Sequence, residues 1–420
     1  MTLTTRIVVA MVLRIALGSC IKIIHDQSIL GTAIDYFLFD LLANGLFDIV
    51  GQIFIASLRL VIVPLVFVSL VCGVVSIATT SQIGRITVKT LSLYLLTTAI
   101  AITLALCFAI LVQPGVGVDM ALPQTFEPRE APGLKDVIIG IFPTNPIAAM
   151  AEGNMLQIII FSLFFGVALK GAGEFAMPLQ QTFERLNKVI LKLVTILIEL
   201  APYGVFSLLL TLFATQGIGV IGDLAKYFFL LLLVLILHGF LTYGLFISLV
   251  ARLNPLIFFN KMKSVALFAF STSSSSATMP VTLQAVRDKL GVNSSVSSFT
   301  VPLGATINMD GTAIMQGVAT VFISQAFNID ISFTGYLMVI LTATLASIGT
   351  AGVPGVGLIM LAMVLEQVGL PVEGIALIIG VDRLLDMTRT AVNVCGDAMV
   401  SCLVGKSENE FNSEIFYSKN

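Results

Sequence analysis

Five ionisable residues stand where so apolar a chain should not carry them. Asp310, Asp382, Asp386, Arg389 and Asp397 lie inside long apolar runs. A charge at the centre of a bilayer costs at least about 2.5–3.5 kcal/mol on insertion scales, so each needs a partner or a use. Acids outnumber Arg389 in this set, and buried carboxylates without partners require cations. In the run GVDRLLDMTRTAVNVCGDA, a helix brings Asp382, Asp386, Arg389, Thr390, Asn393 and Asp397 into an arc of roughly 100°. The arc extends about 22 Å along the axis, enough to serve sites at different depths. Salt bridges that only hold a bundle together are the plainer alternative, and the excess of acid weighs against it.

The run Ala305-Thr306-Ile307-Asn308-Met309-Asp310-Gly311-Thr312 gathers Asn, Asp and Gly in mid-segment. Asn and Asp compete with helical hydrogen bonds and Gly releases the backbone, so an unwound turn is expected there. Its carbonyls, with Asn and Asp, are hard oxygen ligands suited to Na⁺ or a similar cation. Two runs of small residues, Ser273-Ser274-Ser275-Ser276-Ala277-Thr278-Met279-Pro280 and Ser347-Ile348-Gly349-Thr350-Ala351-Gly352-Val353-Pro354, supply the opposite sign. A helix that begins at such a tip offers free N–H groups to a carboxylate. Arg389 offers a planar fork to a second carboxylate, and Asp386 can hold an ammonium. Two carboxylate positions and one ammonium position describe an acidic amino acid.

These residues need elements to hold them, and composition says which. Of 420 residues 57% are hydrophobic and 11% charged, with formal net charge -2 and mean hydropathy +1.03. Soluble domains carry about 25% charged residues, so a soluble enzyme, a nucleic-acid binder and a disordered chain are excluded. Spans of about 20 apolar residues fit 5–25, 46–77, 86–113, 154–172, 188–214, 226–251, 294–326 and 373–404. The stretches 254–290 and 332–368 are interrupted by small and polar residues and read as hairpins that re-enter from one side. With both termini cytoplasmic, most Lys and Arg fall inside and only Arg129, Lys135 and Lys226 outside.

Both tips end in Ala-x-x-Pro, and each is followed at the same distance by a polar helix, at Asn308 and at Asp382. That repetition suits inverted repeats meeting at the bilayer midplane, where broken backbone is tolerated only inside protein or along a cavity. The segment 114–137 reads as an extracellular loop and 405–420 as a polar, mobile tail. Leu17-Gly18-Ser19-Cys20 looks like a lipoprotein cleavage site, but Arg14 interrupts the run before it, which favours a retained first helix. Cys20, Cys72, Cys107, Cys395 and Cys402 lie in apolar stretches and read as small buried hydrophobes.

NMDGT, SSSSSATMPVT, SIGTAGVPGVG and LLDMTRTAVNVCGD together resemble the glutamate transporter family, the dicarboxylate/amino acid:cation symporters, over nearly the whole chain. The resemblance implies an all-α polytopic membrane protein of eight transmembrane helices plus two re-entrant helical hairpins, with inverted repeats and an elevator-type fold. It implies a homotrimer in a plasma membrane, bacterial inner membrane included. Residues 1–80 and 138–222 would form a static scaffold; 81–113 and 223–404 would move, the second hairpin acting as outer gate. It implies a substrate site of Ser274, Ser275, Thr312, Val353, Gly357, Asp386, Arg389, Thr390 and Asn393. One sodium would use Gly304, Asn308, Asn393 and Asp397. A second would use Thr306, Ser347, Ile348 and Thr350, with Met309 between the sites. A third would use Tyr94, Thr97, Thr98, Asn308 and Asp310.

There are departures. Ser273 and Met387 stand where archaeal and animal members have an arginine, and Arg383, one turn before Asp386, is the candidate to compensate. Gln316 replaces a glutamate that animal carriers tie to proton movement. The expected function is uptake of L-glutamate and/or L-aspartate with Na⁺; the rival is a proton-coupled glutamate/aspartate or C4-dicarboxylate symporter. An enzyme is not expected, because neither HExxH nor GxSxG occurs and only His25 and His238 are present. A channel as main role is a weaker alternative.

Overall fold

A computed structural model describes residues 17–26, 32–76, 81–118, 120, 139, 142–216, 220–347, 352 and 354–418. The described residues are almost entirely helical, with no β-strand; Val292 and Phe411 form an isolated bridge. Helix α1 covers 17–26. Helix α2, Asp48–Ser76, continues a π-helical stretch Tyr36–Phe47. Then come α3 (Ser81–Val112), α4 (Pro146–Glu152), α5 (Met155–Gly171), α6 (Met177–Glu199), α7 (Ala201–Gln216) and α8 (Val220–Leu237). Helix α8 runs on through π-helical turns His238–Thr242 and Phe246–Val250. The rest is α9 (Pro255–Thr272), α10 (Ser275–Asp288), α11 (Ser294–Ile307), α12 (Asp310–Ala326), α13 (Phe333–Ser347), α14 (Val356–Gln367), α15 (Ile375–Ser407) and α16 (Ser413–Tyr417).

Among the described residues four helical segments are long and apolar enough to cross a membrane: Tyr36–Val75, Arg85–Val112, Gly173–Leu208 and Leu224–Val250. Helix α15 is about 50 Å long at 1.5 Å per residue, yet its charges keep it out of that set. Helix α2 packs on α5, α6 and α7, while α3 and α8 through α15 pack chiefly on one another. Helix α15 touches α9, α11 and α12 and is the hub of the second group.

Local sequence explains the breaks. Asn254 caps α9 by accepting from Leu256 N at 2.9 Å, with Pro255 at the first helical position. Ser273, at φ +51°, turns the chain left-handed and ends α9. Ser274 is extended, and its hydroxyl accepts from Ala277 N to start α10. The next break falls at Asn308 and Met309, whose φ/ψ of -87/92 and -118/44 leave the helical region. The span expected over 294–326 is therefore two helices, interrupted at the predicted Asn-Met-Asp turn.

Three expectations need correction. The span expected at 188–214 begins earlier, at Met177, and is interrupted at Leu200. Helix α6 is amphipathic, so its polar first turns lower the mean hydropathy without ending the helix. The tail expected to be mobile is docked: Asn412 N donates to Gly291 O at 2.7 Å, Lys261 Nζ donates to Ile415 O at 2.7 Å, and Phe416 is fully buried. Phe411 and Tyr417 pack against Phe416, and Lys261 satisfies the carbonyls of Lys289 and Ile415 beside them. All five cysteines are free as expected, but Cys20 and Cys107 are exposed. Both stand on outward faces of apolar helices, where hydrophobicity does not imply burial within the chain.

Candidate functional site

The tips of the two interrupted stretches meet. Ser274 Oγ donates to Gly352 O at 2.8 Å and Ser276 N donates to the same carbonyl at 3.2 Å. A Cβ on Gly352 would stand 2.7 Å from Ala305 O and 3.1 Å from Ser275 Cβ, so only glycine allows this approach. Ser273 Oγ is buried there without a hydrogen-bond partner.

Beside the tips lies Arg389, 1% exposed. Its NH1 donates to Asp382 Oδ1 at 2.6 Å and its NH2 to Asp386 Oδ1 at 2.9 Å, while Nε has no hydrogen-bond partner. Residues seven and three before it on a helix share its face, as the sequence arc requires. Gly357 and Thr312 border the guanidinium: a Cβ on Gly357 would lie 3.5 Å from NH2 and 3.4 Å from Thr312 Cγ2. Thr390 Oγ1 donates to Asp386 O at 2.8 Å within its own helix. Asn393 Oδ1 accepts from Gly311 N at 2.7 Å, which ties α15 to the first turn of α12.

Deeper along the same arc is an oxygen-rich cluster. Asp310, fully buried, accepts from Thr98 Oγ1 at 2.6 Å and Tyr243 Oη at 2.8 Å, and His238 Nε2 lies 3.1 Å from its Oδ2. Asn308 Nδ2 donates to Asp397 Oδ1 at 2.9 Å and to Asn393 O at 3.1 Å, leaving Asn308 Oδ1 buried with no partner. Asn393 Nδ2 donates to Met309 Sδ at 3.4 Å. Tyr94 Oη donates to Thr300 O at 3.0 Å and faces Gly304 together with Asp397. The donors to Asp310 and Asp397 are hydroxyls, an amide and an imidazole, none of them a permanent cation. Such a cluster can take hard monovalent cations. Among the described residues there is no group of three His, Cys, Asp or Glu set to hold a metal ion.

Contacts thus gather Tyr94, Gly304, Asn308, Met309, Asn393 and Asp397, with Thr98 on Asp310 beside them, and separately Thr312, Gly357, Asp386 and Arg389; Ser274 and Ser275 meet Gly352 at the tips, and Thr390 bonds only within its own helix. Thr97 Oγ1 donates to Tyr94 O at 3.1 Å in its own helix. Thr306 and Ser347 likewise donate within their helices, to Leu303 O at 2.9 Å and Thr344 O at 2.7 Å. Ile348, Thr350 and Val353 lie outside the described residues.

Sequence reasoning missed His238 and Tyr243 as partners of Asp310. They are five apart, a spacing that a regular α-helix does not align, but π-helical turns fill the interval and bring the rings to 4.8 Å at 72°. It also missed how fully Arg389 is engaged by its own helix.

Apolar helices around a buried set of carboxylates, amides and one forked arginine define a multi-pass membrane protein with a polar site inside its helical core. The profile of the sodium:dicarboxylate symporter family matches residues 3–407, and the chain belongs to that family, whose members are secondary transporters and not enzymes. The chain is 35% identical to the proton/glutamate-aspartate symporter of Escherichia coli (strain K12), over 98% of this chain and 94% of that protein. It is 32% identical to the proton/sodium-glutamate symport protein of Bacillus caldotenax, over 87% and 88%. It is 34% identical to the C4-dicarboxylate transport protein of Rhodospirillum rubrum, over 87% and 83%.

Proposed function

We propose that this protein takes up L-glutamate and/or L-aspartate by symport with Na⁺, several ions per cycle. The reading is carried by one observation: buried Asp310 and Asp397 stand among hydroxyl, amide and imidazole donors, with no Lys or Arg among the described residues bonded to them, next to an arginine fork that borders Gly357. Cations entering the oxygen cluster would neutralise those acids. The substrate's two carboxylates would meet Arg389 and the N-terminal end of α10, and its ammonium would meet Asp386. Carrying the acids across the bilayer without cations would leave uncompensated buried charge, which couples the two cargoes.

In the same reading eight transmembrane helices and two re-entrant hairpins form an elevator-type homotrimer in the bacterial inner membrane, both termini cytoplasmic. Residues 1–80 and 138–222 stay fixed, and 81–113 and 223–404 travel with the substrate. Helix α2 packs chiefly on α5, α6 and α7 and meets the group around α15 mainly through α14, which supports that division.

A second reading is proton-driven transport of glutamate, aspartate or a C4-dicarboxylate. It is favoured by the activities that the relatives' names carry. Radiolabelled aspartate uptake into proteoliposomes separates the two. A Na⁺ gradient should drive accumulation, and choline should not; uptake that follows an imposed pH gradient and ignores Na⁺ refutes sodium coupling.

A further inference from the structure

Asp386 is held by two arginines. Arg389 NH2 donates to its Oδ1 at 2.9 Å, and Arg383 NH1 stands 3.5 Å from its Oδ2. The second contact is an ion pair without a hydrogen bond, because Oδ2 is buried and has no hydrogen-bond partner. Arg383 precedes Asp386 by three residues, so both side chains leave the same helical face. Asp382 holds the other prong of Arg389 at 2.6 Å. Asp386 therefore already faces two guanidiniums before any ligand arrives.

This double pairing bears on which ligands the site accepts. The unfilled lone pairs of Asp386 Oδ2 are the landing point for an ammonium, and Arg383 already places a positive charge beside them. An α-amino acid must displace or repel Arg383 to reach Asp386. A dicarboxylate of the same length, lacking the amino group, meets a carboxylate whose charge is offset. We propose that Arg383 is a specificity-determining residue: by offsetting Asp386 it narrows the preference of the site for an amino acid over the amino-free dicarboxylate. The inference rests on the acidic-substrate reading above and deepens it. Arg383 is 17% exposed at its side chain, so its field at Asp386 is partly screened and an effect of about tenfold is expected.

The test compares purified wild-type protein with R383Q and R383K, measuring equilibrium affinities for aspartate and for succinate. R383Q should raise the ratio of succinate Kd to aspartate Kd about tenfold. R383K, which keeps the charge, should stay within about twofold of wild type. An unchanged ratio in R383Q, or an equal shift in R383K, overturns the proposal. If R383Q does not fold, R383M is measured in its place; loss of fold in both, with R383K folded, makes Arg383 a structural tie and also overturns it. Wild-type protein that binds neither ligand refutes the function reading itself, a result distinct from an unchanged ratio.

Discussion

The Ser274 hydroxyl reaches the Gly352 carbonyl across 78 residues of sequence at 2.8 Å, and it also accepts from Ala277 N at 3.2 Å. One oxygen thus caps α10 and latches it to Gly352, just before α14. S274A loses both contacts, at about 1 kcal/mol each. Apparent aspartate affinity is expected to fall at least about tenfold, while G352A fails more severely because its Cβ meets backbone. Titration calorimetry measures both; an S274A affinity equal to wild type would show that the latch plays no part in retaining substrate.

Arg389 holds Asp382 and Asp386 together, so its removal affects fold as well as binding. R389A should abolish aspartate binding and also lower stability by about 3–5 kcal/mol, since it strands buried carboxylates. Adding D382N should recover part of the melting temperature and none of the binding. If R389A melts with wild type, the triad carries no structural load.

Gly304 leaves room for the Tyr94 hydroxyl and the Asp397 carboxylate; a Cβ there would stand 2.5 Å from Tyr94 Oη and collide with Asp397. G304A displaces the oxygen cluster without touching Arg389. The Na⁺ concentration for half-maximal uptake should rise by roughly tenfold or more, a change of about 1.4 kcal/mol in cation binding. Substrate affinity at saturating Na⁺ should move far less. An unchanged Na⁺ dependence would remove Gly304 from the cation path.

Glu408 accepts from Arg85 Nε at 2.9 Å and pairs with Lys89 Nζ at 2.6 Å, tying the end of α15 to the start of α3. Hydrogen bonds from Arg85 and then Lys89 hold its carboxyl below the usual value of 4.5. A lowered folded-state value means stability that is present above the unfolded value and lost as pH falls through the folded one. E408Q should therefore melt below wild type at pH 7, and the gap should close beneath about pH 4.5. A gap that does not narrow on acidification would place the effect in packing.

The sequence by itself determined the membrane class, the polar arc of the last long helix, the broken turn at Asn308-Met309 and the two small-residue tips. Each is written in local pattern: hydropathy sets the solvent, a 100° step sets the face, and Ser or Gly sets where a helix can stop. Tertiary structure decided the partners. Asp310 meets His238 and Tyr243 because π-helical turns reset the face of α8, which residue spacing on an α-helix does not reveal. Arg389 is shared between Asp382 and Asp386, and the tail is docked through Lys261 and Phe416, because charges and aromatics choose among neighbours that only folding brings within reach. Energies of pairing fall off over a few ångström; chain order does not carry that information, and three-dimensional distance does.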